Sequence, residues 1–202
     1  MTGLPDGTEH GGRLFQSAGN PPFVQVCAVY RKETMAQRKK KQNTKKLKVV
    51  MLGGLSEIGK NLAVIEYENE MIVVDCGIGF PDDEMPGVDL VLPDFTYLKE
   101  NADKLKGVFI THGHEDHVGG VPYLLKLIDT PVFGTKLSIG IIKNKLREHN
   151  LDYTPELVPV EAGDSVKVGN FTVEFIRVNH SIADSCCLAI RTPAGTVLHS
   201  GD

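Results

Sequence analysis

The chain is expected to fold as mixed α/β (α+β), with a sheet covered by helices, and three features of its pattern lead there. Two apolar segments, 61–67 and 71–75, flank the polar turn Glu68-Asn69-Glu70 as the arms of a β-hairpin do. Between 108 and 149, short apolar runs alternate with stretches of helical spacing, the signature of strand–helix units. From 156 to 200 the pattern returns to strands, separated by glycine and proline turns. Loops at the ends of such strands are where a site can be built.

In chain order, residues 1–34 hold glycine and proline clusters and one short apolar run, 23–30, and little fixed structure is expected there. Patterning begins abruptly at Leu47, which sets the expected boundary between a leader with a basic arm (1–46) and a folded unit (47–202). A strand over 48–52 ends at Gly53-Gly54, and the hairpin follows. A long loop, FPDDEMPGVDLVLPDF, leads to a buried strand at 108–111. A helix over 120–128 is entered through Val121-Pro122, because proline suits the first helical turn. After a strand at 132–133, Thr135 is placed to cap a helix over 136–149, whose Leu137, Ile141, Ile142 and Leu146 recur at helical spacing. Strands are expected at 156–160, 165–168, 171–178, 185–191 and 196–200, the last two joined by the turn Pro193-Ala194-Gly195.

With 202 residues, 41% of them hydrophobic, the chain can bury a core of ordinary domain size. It has no apolar run long enough to span a membrane and no secretory leader pattern, so a cytoplasmic protein without membrane attachment is expected. Its four cysteines form neither CxxC pairs nor a small secreted framework, and reduced thiols are the simpler reading. Charge is uneven. Arg38, Lys39, Lys40, Lys41, Lys45, Lys46 and Lys48 lie between Met35 and Val50 with no acid among them, whereas 51–202 has 12 basic against 23 acidic residues, a net of −11. A basic run of this kind can neutralise nucleic-acid phosphates, although on composition it is more often a solvated tail. The acidic body would repel RNA unless bound metal or another part of the protein reverses the local field.

The chemistry is concentrated in Thr111-His112-Gly113-His114-Glu115-Asp116-His117. Three histidines and an aspartate within six residues, directly after an apolar strand, are poor packing material. In extended chain His112 and His114 lie on one side, while Asp116 and His117 follow where the chain turns towards a helix, so one loop can serve two metals. Imidazole and carboxylate donors suit zinc, and manganese fits where oxygen ligands are numerous. His180 ends an alternating strand and is a candidate third ligand beside His112 and His114, although a lone histidine there is more often simply hydrogen-bonded. Asp202 follows an apolar strand and Gly201; it is a candidate carboxylate ligand to both metals, or a turn residue. His199, His149 and His10 are given structural or surface roles.

The THGHEDH stretch resembles the signature of the metallo-β-lactamase fold, and Asp75 in VVDCG, His180 and Asp202 match its other motifs. A narrower likeness lies in GGLSEIGKN (53–61), FPDDEMPGVDLVLPDFTYL (80–98), THGHEDHVGGVPYLL (111–125), KNKLREH (143–149) and NHSIADS (179–185), which together resemble the bacterial ribonuclease J family. That resemblance implies the N-terminal part of an αββα sandwich, without the inserted β-CASP domain and the C-terminal parts. It implies one metal held by His112, His114 and His180, another by Asp116 and His117, with Asp202 bridging and Asp75 orienting a ligand histidine. It makes Asp116, His117 and Asp202 catalytic. It further implies hydrolysis of RNA phosphodiester bonds, 5′–3′ exonucleolytic with endonuclease activity, by an oligomeric enzyme, a dimer or tetramer. Its RNA-binding residues stay unassigned. The chain by itself is expected to be inactive, its last metal ligand lying beyond residue 202. Met35 is the expected natural start, since Arg31-Lys32-Glu33 can be encoded by a purine-rich ribosome-binding stretch. A small ester, thioester or lactam hydrolase of the same fold is the alternative enzyme. A non-catalytic RNA-binding module is the third reading, although structural zinc sites are usually closed and mononuclear.

Overall fold

The computed structural model describes residues 28–30 and 45–202. The rest of the leader and most of the basic arm lie outside the described residues. Strands β2 (Leu47–Gly53), β3 (Leu62–Tyr67) and β4 (Glu70–Val74) form an antiparallel meander. The sheet then continues in parallel through β5 (Leu105–Phe109), β6 (Val132–Thr135) and β7 (Leu157–Val160), in the spatial order β2-β3-β4-β5-β6-β7. Parallel neighbours need crossovers, which here carry α1 (Thr96–Glu100), α2 (Glu115–Val118) with α3 (Val121–Leu125), and α4 (Lys136–Glu148). The second sheet is antiparallel: β8 (Ser165–Val168), β9 (Phe171–Arg177), β10 (Cys186–Thr192), β11 (Gly195–His199) and, on its edge, β1 (Ala28–Tyr30).

Side-chain alternation builds the layers. In β3, Leu62 and Val64 face one way and Ala63 and Ile65 the other, all buried, because the strand is covered on both sides. The first pair joins Val73, Val108, Ile110, Leu98, Leu124 and Ile142 in a core between this sheet and the helices. The second pair joins Phe109, Phe133, Phe171, Val173, Phe175, Leu188 and Ile190 between the two sheets. Phe109 stacks on Phe133 with ring centroids 4.8 Å apart. The order is therefore helices, sheet, sheet, which is three of the four layers of an αββα sandwich; among the described residues, the helices pack on the six-stranded sheet alone.

Several expectations need correction. Ala28–Tyr30, expected to lack fixed structure, pairs with β11 from Ala28↔Leu198 to Tyr30↔Thr196; the pairing depends on a strand some 170 residues away, which local patterning cannot reveal. Thr135 does stand at the start of α4, but its hydroxyl meets Ser138 Oγ at 3.1 Å and caps no backbone N–H. Leu137 is 37% exposed; the buried face of α4 is Ser138, Ile139 and Ile142, with Ile141 and Leu146 packed at its margin. Helix α3 stops at Leu125, short of 128, and β5 runs 105–109 where 108–111 was expected. Ile110 N–H still donates to Phe133 O of β6 (2.8 Å), and Thr111 then carries the chain into the site.

Candidate metal centre

The site sits beyond the carboxyl ends of β4 and β5, in the parallel part of the six-stranded sheet, the end at which such sheets build their sites. Three segments are braided there. Asp75 N–H donates to Phe109 O (2.9 Å), Cys76 N–H to His117 O (2.8 Å), and Ile78 N–H to Glu115 O (3.2 Å). The segment after β4 thus holds the first turn of α2 residue by residue. The fit leaves no room at Gly77, where a Cβ would stand 1.6 Å from Asp116 O. Cys186 N–H donates to Thr111 O (3.0 Å), which brings the 178–185 loop and His180 against the same turn. Gly201, at φ +64°, turns the chain after β11 so that Asp202 enters from the second sheet.

Asp75 organises the histidines. It adopts φ +58°, and its buried carboxylate accepts from Thr111 N–H, from the Thr111 hydroxyl and from His117 Nδ1, each at 2.8 Å. Burial pushes this carboxyl up, but the facing His117 imidazole and the Thr111 N–H outweigh it and hold it below its usual range. The single Thr111 hydrogen is given to Asp75, so at 2.9 Å its oxygen can only accept from His112 Nδ1. Both His112 and His117 therefore carry a proton on Nδ1, and His112 presents an unprotonated Nε2 to the site.

The donors converge in two groups that share His112. In one, His112 Nε2 and His180 Nε2 lie 3.1 and 3.2 Å from His114 Nδ1. Tetrahedral zinc with bonds of about 2.0–2.1 Å sets its nitrogen ligands about 3.3 Å apart, so these imidazoles stand at the spacing one ion requires. The other group is His112, His117 and Asp202, with Asp202 Oδ2 3.2 Å from His117 Nε2 and 3.9 Å from both His112 and His180 Nε2. Asp202 thus reaches towards both groups. Asp116 stands beside the second, its Oδ2 3.6 Å from His117 Nε2.

Protonation marks the need for a cation. Burial, and then the charge of His117, push His112 down to about 4, so that it is neutral at ordinary pH. Burial also pushes His117 down, but Asp75 and Asp202 on either side outweigh it and raise it to about 10. The same contact with His117 draws Asp202 down to about 2. Without metal, a proton on His117 Nε2 is held between two carboxylates. A divalent ion on the same donors would take its place, and this donor set fits one.

Thr111 and Asn61 had no assigned role in the sequence reading, and His199 was given a structural or surface one. Thr111 relays Asp75 to His112. Asn61, at the end of the β2–β3 loop, lies 3.1–3.2 Å from Asp116 and His117. His199 is buried and accepts from Gly201 N–H at 3.2 Å. His10 falls outside the described residues, and His149 stacks edge-on against Tyr123 away from the site.

The fold and the donor set define a metallohydrolase scaffold, and residues 57–202 match the model of the metallo-β-lactamase superfamily. The chain belongs to that superfamily. Within it, the sequence is 51% identical over 165 residues to ribonuclease J of Synechocystis sp., covering 81% of this chain and 26% of that protein. Ribonuclease J of Helicobacter pylori is 48% identical over 157 residues, covering 77% and 23%, and that of Mycobacterium tuberculosis 44% over 157 residues, covering 77% and 28%. The chain spans about a quarter of the length of these relatives. Among solved structures it resembles a protein of unknown function from Enterococcus faecalis (TM-score 0.59, 21% identity, 77% of this chain and 43% of that one). It also resembles the short form of human tRNase Z (TM-score 0.52, 22% identity, 76% and 68%). These two likenesses concern the fold.

Proposed function

We propose that these residues form the metal-binding part of a ribonuclease of the ribonuclease J kind, which hydrolyses RNA phosphodiester bonds in the cytoplasm by 5′–3′ exonuclease and endonuclease action. The observation that carries the reading is the pair of donor groups joined at His112 and approached by Asp202, in a chain that is 44–51% identical to ribonucleases J of three genera. His112, His114 and His180 would hold one ion, zinc or manganese; His117 and Asp116 would hold a second, and Asp202, which reaches towards both groups, would be shared between them. Such ions supply Lewis-acid charge that activates water and offsets charge developing on the phosphodiester oxygens.

The chain's own residues do the rest. Asp75 fixes the tautomers of His112, through Thr111, and of His117, so that Nε2 of each faces inward. Asp116 and Asp202 hold the acidic side of the site within reach of a proton released during hydrolysis. The braid of 75–78 with 115–117 keeps these donors rigid. No helix among the described residues is long and apolar enough to cross a membrane, and the working enzyme is proposed to be a homo-oligomer.

The test joins the residues of the Synechocystis relative that follow its equivalent of Asp202 to this chain. The lengthened protein is then assayed with zinc or manganese on 5′-monophosphorylated RNA, a thioester and a cephalosporin. RNA cleavage alone is expected; turnover of the small substrates without RNA cleavage overturns the proposal.

A further inference from the structure

Asn61 is fixed by its backbone on both sides. Its N–H donates to Asp116 O at 3.1 Å, and its carbonyl accepts from Gly77 N–H at 3.0 Å. It is thereby held in register with the peptide that joins the two donors on α2. Its side chain turns back over that peptide, placing Nδ2 at 3.1 Å from Asp116 O, 3.2 Å from Asp116 Oδ2 and 3.1 Å from His117 Nε2. The two Asp116 oxygens only accept, so the amide must present its nitrogen to them; turned round, its own oxygen would face a carbonyl and a carboxylate. The amide's two hydrogens serve three neighbours, two of which are oxygens of Asp116. His117 meets the amide through Nε2, the atom that Asp75, bound at Nδ1, leaves facing the site.

Helix α2 has four residues, too few to set its own side chains by packing. His117 is buried and anchored by Asp75, but Asp116 is partly exposed, and an exposed carboxylate samples several rotamers. A neutral amide is the right partner for such a group. It donates to the carboxylate without taking its charge and, unlike lysine, does not compete with a cation for it.

We propose that Asn61 is the positioning residue of the second metal site, holding the Asp116 carboxylate beside His117 Nε2 so that both present to one ion. This rests on the two-metal reading above. Loss of a partner outside the ligand set typically weakens metal binding about 10–100-fold, and here the loss should fall on one site only.

The 202-residue chain, stripped of metal, is titrated with zinc by calorimetry and with cobalt(II) by its visible absorption, as wild type, Asn61→Ala and Asn61→Asp. Wild type is expected to show a tight class of binding and a weaker one. In Asn61→Ala the weaker class should lose about 10–100-fold while the tight class stays within about twofold. Asn61→Asp keeps the size but turns a donor into a carboxylate facing Asp116. Its metal-free form should melt below wild type, and metal should raise its melting temperature by more, since a cation can sit between the two carboxylates. If Asn61→Ala does not fold, Asn61→Asp decides: melting like wild type both with and without metal overturns the inference. So do two unchanged classes in Asn61→Ala, equal weakening of both classes, or a wild-type chain that takes up a single ion. Two metals bound with the Asn61 effect present, and no RNA cleavage by the lengthened protein, overturns the ribonuclease reading alone.

Discussion

Replacing Asp75 with asparagine should disable the metal centre while leaving the fold in place. Asparagine tolerates φ +58° as well as aspartate does, so the backbone gains no strain. The Thr111 N–H keeps its acceptor at Oδ1, 2.8 Å away. At Oδ2 two donors now meet an NH2 group. The Thr111 hydroxyl can turn to accept from it, which sends its hydrogen towards His112 Nδ1; His117 Nδ1 must likewise become an acceptor. Both imidazoles then carry their proton on Nε2, where each had faced the ligand group. Two charge-assisted bonds of roughly 1.5–3 kcal/mol each give way to neutral ones of about 0.5–1.5 kcal/mol, so the metal-free protein should lose about 2–3 kcal/mol. Metal affinity should fall by about 100-fold, the upper end for such partners because two ligands are reversed, or about 2.7 kcal/mol. Thermal melting in chelator and calorimetric zinc titration measure the two losses. An Asp75→Asn protein that binds zinc as wild type does would refute the tautomer argument.

Two further predictions follow from the same geometry. His114→Ala and Asp116→Ala should each abolish RNA cleavage by the lengthened protein while its circular dichroism and melting stay close to wild type; near wild-type turnover in either would remove that residue from the site. In chelator, the chain should also lose stability as pH rises. His117 is raised from about 6.5 when unfolded to about 10 when folded, so its contribution is full below about 6.5 and gone above about 10. Melting temperatures measured from pH 6 to 10.5 should fall in chelator, and saturating zinc, which replaces the proton, should flatten the curve; a flat curve in chelator argues against the pairing of His117 with Asp75 and Asp202.

What could be read in the sequence was what is local. The hairpin, the strand–helix alternation and the HxHxDH loop rest on neighbours a few residues apart, and the strands fell within a few residues of their expected places. His180 and Asp202 could be named only as open candidates, because what brings them to His112 is the packing of two sheets. Asn61 carries no local mark: its partners are 55 and 56 residues away. β1 depends on an edge formed by Leu198, and α1 and α2, at five and four residues, are too short to show a helical period. Leu137 was misplaced because spacing alone cannot tell which side of the first turn of α4 meets the sheet.

The charge balance leads to the last prediction. Residues 51–202 carry a net −11, and within the site His117 carries a proton while His112 is neutral. Its carboxylates Asp75, Asp116 and Asp202 gather around His117. The two divalent ions proposed above would bring four positive charges to the same few ångströms, which would reverse the sign of the pocket while the surrounding surface stays acidic. RNA would then be attracted at one point, and the basic arm, whose Lys45 and Lys48 also pair with Glu68 and Glu66, is a second source of phosphate contacts. Binding of a short single-stranded RNA to the metal-free chain should therefore be weak and strongly reduced by salt. Loading with a non-hydrolysing ion such as calcium, or zinc at low temperature, should raise affinity at fixed ionic strength, and Asp202→Asn should reduce that gain. Fluorescence anisotropy measures both. Equal RNA affinity with and without metal would show that phosphate is held elsewhere and that the ions do not set the local field.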